Sequence, residues 1–317
     1  MVSLPDFCTA MFQMGPMVAA SVLSASQQPL PGSPVAISPP ERQTVPLVFA
    51  SPHSGNDYPA DFIRASRLDP LTLRRSEDAF VDELFASVPG HGAPLLRALF
   101  PRVFCDPNRE PYELDQDMFT DTLPPEVNTS SPRVAGGLGT IARIVTAGAE
   151  IYRGKLTFAE ARERIETHWR PYHAALLGLV EETKRTFGAA ILIDCHSMPS
   201  VGGPLDRDPG VVRPDVVLGN RHGASCRAEL IEHAAFTLRR QGLAVALNAP
   251  YAGAYTTQHY GRPYDSQHTL QIEINRALYM DEERLERGPG MAAVAETMSR
   301  LAVALGDLDI ARFKAAA

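Results

Sequence analysis

Hydrophobic positions along the chain gather into short runs that end at turn residues: Val45–Ala50, Ala93–Leu99, Arg102–Cys105, Ala189–Cys195, Val216–Leu218, Leu243–Leu247 and Thr269–Ile274. Bounded apolar runs of this length predict buried strands. Helical spacing separates several of them. Asp78–Val88 places Phe80, Val81, Leu84, Phe85 and Val88 on one side. Thr157–Phe187 is a long amphipathic segment that Pro171 is expected to kink or divide. Thr157 and Glu160 open it with the spacing of a capping box. Ser225–Gln241 and Ala292–Leu305 complete the helices, and Gly242 supplies a stop for the first of these. Strands alternating with helices predict an α/β protein of three layers, α/β/α, whose mixed, mainly parallel sheet is covered on both faces. The expected organisation is one catalytic α/β domain over 45–317 with no internal repeat.

Two segments stand outside this alternation. Residues 1–44 are rich in Ser, Pro, Gln and Ala, with Pro29, Pro31, Pro34, Pro39 and Pro40 close together, and read as a flexible N-terminal arm. Asp106–Ala142 is rich in Pro, Asp, Thr and Gly and contains Gly136-Gly137-Leu138-Gly139. A loop this long inside a compact domain is expected to serve function, here as a lid. It holds neither a GxxxxGK[ST] pattern nor a strand-following GxGxxG, so a phosphate cradle is not expected.

Composition narrows the class. The 317 residues are 44% hydrophobic and 21% charged, which is globular. The net charge of −7 argues against a nucleic-acid partner while leaving room for a local basic pocket. Cys8, Cys105, Cys195 and Cys226 are scattered without CxxC spacing and read as free thiols of a cytoplasmic protein. No apolar run approaches the ~20 residues that span a bilayer. Met14–Ala20 has the apolar look of a signal peptide, but no Lys or Arg precedes Arg42.

Candidate chemistry sits at strand ends, where α/β sheets collect ligands. The first strand runs into Ser51-Pro52-His53-Ser54-Gly55, with Gly55 expected to let the backbone turn beside a ligand. The strand Ile191–Cys195 runs into His196, and Asp194, two residues back, shares its face and is placed to orient it. A catalytic zinc needs a third protein ligand, commonly a carboxylate, and Glu77 and Asp78 are adjacent candidates between which spacing does not choose. Arg102, Asn108 and Arg109 offer donors for a carboxylate, or else surface salt bridges. Glu273 lies among apolar neighbours, where a carboxylate requires a partner or a task.

The ordered motifs Ser-Pro-His-Ser-Gly (51–55), Glu-Asp-Ala-Phe-Val-Asp-Glu-Leu (77–84), Arg-Val-Phe-Cys-Asp-Pro-Asn-Arg (102–109), Ile-Asp-Cys-His-Ser-Met (193–198) and Leu-Gln-Ile-Glu-Ile-Asn-Arg-Ala-Leu-Tyr-Met (270–280) resemble the N-formylglutamate amidohydrolase family. Pro171-Tyr172-His173 and Tyr260-Gly261-Arg262-Pro263 also fit, and the resemblance covers about residues 45 to 305. It implies a zinc-carboxypeptidase-like (phosphorylase/hydrolase-like) fold with one catalytic Zn2+, held by His53, His196 and Asp78. Asp78 matches the acidic position four before Asp82; Glu77 is the alternative, since Glu-Asp stands where the family more usually has Thr-Asp. By the same resemblance Glu273 is the base, Arg102 faces the oxyanion, and Asn108 and Arg109 clamp a substrate carboxylate. Arg133 and Arg143 are candidates for a second carboxylate, and Tyr260, His259 and His268 for lining the pocket. The implied substrate is a small N-acylated acidic amino acid, first N-formyl-L-glutamate, giving formate and L-glutamate in a route of histidine degradation. The enzyme would be a monomer or small homo-oligomer. The rivals are another zinc deacylase or carboxypeptidase on the same scaffold, and a non-catalytic carboxylate-binding protein.

Overall fold

A computed structural model of the chain describes residues 32–145, 148–204 and 206–315. In chain order its elements are β1 (Val35–Ser38), β2 (Leu47–Ser51), α1 (Ala60–Ala65), α2 (Pro70–Arg74), α3 (Val81–Leu84), β3 (Leu95–Ala98), α4 (Pro132–Ala135), α5 (Phe158–Arg164), α6 (Arg170–Phe187), β4 (Ala190–Met198), β5 (Val216–Gly219), α7 (Ala228–Arg240), β6 (Val245–Leu247), α8 (Tyr255–Tyr260), β7 (Gln267–Asn275), β8 (Met280–Asp281), β9 (Glu286–Arg287) and α9 (Met291–Gly306). Seven strands form one sheet in the order β1-β3-β2-β4-β7-β5-β6. The pairs β3–β2, β2–β4, β4–β7 and β5–β6 are parallel, while β1–β3 and β5–β7 are antiparallel. The sheet is therefore mixed and mainly parallel, as the alternation of strands and helices predicts.

Side-chain alternation divides the core into two layers. Leu47 and Phe49 of β2, Ile191 and Ile193 of β4, and Leu270, Ile272 and Ile274 of β7 pack under α3, α7 and α9. Val48 and Ala50 of β2 and Ala190 and Leu192 of β4 face the opposite way, against α5, α6 and the long loop after β3. Strands buried on both faces read as nearly continuous apolar runs, which is why β2, β4 and β7 are legible in the sequence. The polar residues Asp194 and His196 keep the parity of Leu192, and Gln271 and Glu273 keep that of Thr269. All four therefore emerge on the α5–α6 side, at the carboxyl ends of the two central strands.

Three expectations are corrected. The arm does not extend to residue 44: Val35–Ser38 pairs with Ala98–Leu95 and closes the edge of the sheet, with Ala36 buried. Residues 1–31, with Cys8, lie outside the described residues. Arg102–Cys105 is a turn, with the Phe104 and Cys105 amides donating to Pro101 O, so its apolar residues are buried without a strand. That turn lets Arg102 reach Asp106 four residues on, which an extended chain forbids. Asp78–Val88 holds only the single turn α3, because Phe80 adopts a left-handed φ of 65° and the chain tightens into a 3-10 turn at Val88–His91.

The long helical segment is interrupted beside Pro171, as expected. Between α5 and α6 the helix widens into a π turn at Ile165–Trp169, and Pro171 falls in the first turn of α6. A wider turn there accommodates a residue that has no N–H to give. The capping box is present: Thr157 Oγ1 accepts Glu160 N–H and Glu160 Oε2 accepts Thr157 N–H. Gly55 serves close packing rather than a ligand, since a Cβ there would collide with the Leu99–Phe100 backbone. Among the described residues no helix is long and apolar enough to cross a membrane, and Cys105, Cys195 and Cys226 are free and buried.

The β1 pairing is testable by truncation. Removing residues 1–44 is expected to lower Tm by about 5 °C relative to removing 1–31, because it strips the edge of β3. Equal melting temperatures for the two truncations would show that β1 adds nothing to the sheet.

Candidate active site

The carboxyl ends of β2 and β4 deliver His53 and His196, and the turn before α3 delivers Asp78. All three are buried. The Asp78 amide donates to His53 O (3.0 Å), which ties that turn to the end of β2. The two imidazoles meet Asp78 through the same atoms: His53 Nδ1 and His196 Nδ1 lie 3.3 and 2.9 Å from Asp78 Oδ2. One nitrogen from each ring and one carboxylate oxygen fall within 4.8 Å of one another. Two imidazoles and a carboxylate are the donor set of catalytic zinc sites that keep a position open for water.

The far side of each ring is held by another carboxylate. His53 Nε2 is 2.8 Å from Asp106 Oδ1, and His196 Nε2 is 3.1 Å from Asp194 Oδ1. A carboxylate on Nε2 fixes the ring and leaves Nδ1 as the electron-pair donor, the arrangement found behind metal-bound histidines. Asp78 Oδ1 accepts from Arg276 Nη2 (3.0 Å) and lies 3.7 Å from Arg102 Nη1, so only Oδ2 addresses the histidines. Burial disfavours the Asp78 charge, yet hydrogen bonds from His196 and His53 and the Arg102 charge hold its carboxyl well below the usual range. The same opposition holds at Asp106, where Arg102 and Arg109 outweigh burial. His196 is raised well above an ordinary imidazole because Asp194 and Asp78 overcome its desolvation.

Glu273 stands opposite His196 in the β4–β7 register, and Gln271, which donates to Glu273 Oε1 (2.7 Å), stands opposite Asp194. Burial pushes Glu273 up to about 8, while the nearby His196 charge pulls it back. These groups line one cavity of about 1170 Å3, together with Arg102, Arg109, Arg133 and Arg143.

Of the two adjacent acids, Asp78 is the one brought to the histidines. Glu77 points away and is bound by Tyr58 Oη (2.8 Å) and Arg74 Nε (3.2 Å). Asn108 lines the cavity, but both ends of its amide are engaged. Its Oδ1 accepts Thr256 N–H (2.8 Å), and its Nδ2 lies 3.0 Å from His196 Nε2 and 3.4 Å from Asp194 Oδ2. Its Nδ2 donates to Asp194, the carboxylate behind the His196 ring. Arg109 gives Nε to Leu138 O and Nη1 to Asn108 O, two of its five donors. Arg143 is engaged by Asp115 (2.8 Å) and approaches Glu150 (3.8 Å).

Tyr260 is overturned as a substrate contact: it is buried away from the cavity, with its hydroxyl on His173 Nδ1 (2.9 Å). His268 is buried on Phe313 O, and His259 stacks on Tyr255; neither lines the cavity. His173 and Trp169 instead peg the segment that carries Asn108. His173 Nε2 donates to Pro107 O (2.8 Å), and Trp169 Nε1 donates to Arg109 O (3.0 Å). The Asp106–Ala142 excursion is closed at its base by Asp106 N–H to Thr140 O, and Gly139 is required because a Cβ there would meet Glu113 O. Asp106 and Arg276 are the functional candidates that the sequence reading missed. Arg276 follows an apolar strand just as His196 ends one, so the same rule would have found it.

Catalytic-type donors at parallel strand ends, a buried carboxylate opposite and a cleft rich in guanidinium groups define a hydrolase with a candidate metal site. The family model described as N-formylglutamate amidohydrolase matches residues 45–280, and the chain belongs to that family. It is 28% identical over 247 residues to an N-formylglutamate deformylase of Pseudomonas putida, covering 75% of this chain and 83% of the relative. With the N-formylglutamate deformylase of Pseudomonas aeruginosa the identity is 29% over 252 residues, covering 77% and 85%. The crystal structure of an N-formylglutamate amidohydrolase from Ralstonia eutropha superposes with a TM-score of 0.80 at 38% identity, over 87% of this chain and 98% of that one. A structure from Agrobacterium tumefaciens shares the fold at 18% identity, with a TM-score of 0.62 over 86% and 95%. Membership of a family of hydrolases sets aside the non-catalytic carboxylate-binding alternative.

The His173 peg has a pH signature. Burial holds its folded-state pKa at about 3, against 6.5 for an exposed imidazole. As pH falls the unfolded chain takes this proton first, so the stability is intact above 6.5 and drains away between about 6.5 and 3. From pH 7 to pH 5 the protein is expected to lose about 2 kcal/mol more unfolding free energy than its His173→Gln variant. Urea melts at the two pH values measure this, and equal losses would show that the imidazole takes its proton in place.

Proposed function

We propose that this chain hydrolyses the formyl amide of N-formyl-L-glutamate, releasing formate and L-glutamate, as a zinc-dependent amidohydrolase. The observation that carries the reading is the shared cavity: the His53–Asp78–His196 donor set, the Glu273 carboxylate and several arginines open onto one space. The deformylase names of the relatives supply the substrate.

His53 Nδ1, Asp78 Oδ2 and His196 Nδ1 would hold the ion, with Asp106 and Asp194 fixing the rings from behind. A bound zinc supplies Lewis acidity toward the formyl carbonyl and brings the pKa of a water to about 7. Glu273 takes the proton of the attacking water and hands it to the departing glutamate nitrogen. Its raised proton affinity suits it to hold that proton between the two transfers. Gln271 steadies Glu273 through its Oε1. Arg102, fixed by Asp106, faces the oxygen on which negative charge develops, where preorganised positive charge has the greatest effect. Arg109 receives a substrate carboxylate with the donors left over from its two carbonyl bonds.

Metal analysis of the purified protein beside a formate-release assay tests this. His196→Ala is expected to lose both the metal and turnover. Glu273→Gln is expected to keep the metal and lose turnover by about 10^3-fold. Full activity in Glu273→Gln would remove the proposed base. Release of amine from other N-acyl amino acids or peptides, with none from N-formyl-L-glutamate, would assign the site to a different deacylase or to a carboxypeptidase.

A further inference from the structure

The cavity is lined by more arginines than carboxylates, and among the described residues Arg133, Arg207 and Arg221 meet no carboxylate. Arg102, Arg143, Arg213 and Arg276 each meet a carboxylate oxygen at 2.7 to 3.0 Å. Arg133 does not. It is half-buried on α4 and lines the cavity, and among the described residues no hydrogen bond or ion pair reaches its guanidinium. The nearby acids are already engaged. Glu113 accepts from Ser131 Oγ, the same oxygen that caps α4 by accepting Val134 N–H. Asp106 receives His53 and the Asn108 amide on one oxygen and Arg102 on the other. Burial is the main cost to the Arg133 charge; Asp106 and Glu113 offset it in part, Arg102 and Arg207 add to it, and the balance lowers its proton affinity in the free protein. A half-buried guanidinium in this state is satisfied by an incoming anion.

We propose that Arg133 is the receptor for the second carboxylate of the substrate and sets the preference for N-acyl amino acids that carry two carboxylates. Arg109 takes one carboxylate and Arg133 the other, so that a diacid bridges the cleft while its amide sits at the His–Asp–His set. The inference rests on the formylglutamate reading. It adds the residue that distinguishes glutamate from its neutral isostere. Arg143, the other candidate, is held by Asp115 and Glu150 and lies close beneath Gly137, where it shapes the loop that presents α4.

The experiment compares N-formyl-L-glutamate with N-formyl-L-glutamine, which differ by one carboxylate replaced with an amide of the same shape. Binding is measured by titration calorimetry on metal-loaded Glu273→Gln protein, alone and combined with Arg133→Gln or Arg133→Lys. The diacid is expected to bind at least about 10-fold more tightly than the amide. Adding Arg133→Gln is expected to weaken the diacid by about 10- to 100-fold and to leave the amide within about threefold. Arg133→Lys keeps the charge and is expected to keep part of the preference. Thermal melting establishes that each variant is folded; if Arg133→Gln is not, Arg133→Met takes its place. Persistence of the preference in Arg133→Gln, equal weakening of both ligands, or no preference at the outset would each overturn the assignment. A wild-type enzyme that releases no formate, yet binds the diacid through Arg133, would sink the proposed reaction and leave the receptor standing.

Discussion

Asp78 is a buried carboxylate whose partners arrive from four separate parts of the chain. His53 comes from the end of β2, His196 from β4, Arg102 from the turn after β3 and Arg276 from the residue after β7. A lone carboxylate at this depth would take a proton rather than stay charged. Here its charge survives because the sheet order β3-β2-β4-β7 lines up the four segments in that sequence. The cluster is thus a product of the central sheet and also a lock on it. Removing any one partner leaves the others facing an imperfectly compensated charge, which costs more than the intact arrangement stabilises. Chemistry and fold therefore share the same bonds, and the site needs no dedicated scaffold beyond the register of parallel strands.

A second layer of control comes from the helices on the open face. The π turn at Ile165–Trp169 leads into α6, and Trp169 and His173 each peg a carbonyl of the Pro107–Arg109 segment. Between those two pegs Asn108 reaches in to His196 and Asp194. Helix position thereby bears on Asp194, behind the His196 ring, through two backbone carbonyls and one amide. Burial keeps His173 neutral, so that it donates from Nε2 and accepts from Tyr260 at Nδ1. The long loop thus forms a wall of the cavity, and its residues divide between supports and cavity-facing groups.

That division explains what the sequence disclosed and what it withheld. The strands β2, β4 and β7 are readable because strands buried on both faces have unbroken apolar text, and His53, His196 and Glu273 are readable as polar interruptions at their ends. Parity along β4 is enough by itself to pair Asp194 with His196. The edge strand β1 escapes because its run Val35-Ala36-Ile37 is short and set between Pro34 and Pro39-Pro40, and its pairing to β3 is a long-range event with no local signature. Arg102–Cys105 misleads for the opposite reason: an apolar run states that a segment is buried, not that it is extended. The choice between Glu77 and Asp78 depends on a left-handed Phe80 and a turn tied to His53 O, neither of which adjacent residues encode. Asn108 and Tyr260 attract substrate roles because polar side chains near a site look alike in sequence. Their partners, Thr256 N–H and His173, come from distant segments and are visible only in the folded chain.

The same logic bears on the arginines, the most numerous charged groups of the cleft. A net charge of −7 describes the whole surface and says nothing about which cations are spoken for. Arg102 and Arg276 are held in place by Asp78 and Asp106, which fixes their guanidinium groups beside the histidines. Arg213 is closed off by Asp206 and Asp208 and stacks over Tyr251, holding the 199–213 segment against the 250–254 turn. Subtracting these internal pairs reduces a crowded list of basic residues to a few uncompensated ones, Arg133, Arg207 and Arg221 among them. An acidic protein can thus present an anion-seeking pocket, because the field that a small ligand meets is set by unpaired groups within a few ångströms, while distant surface charge is screened by salt.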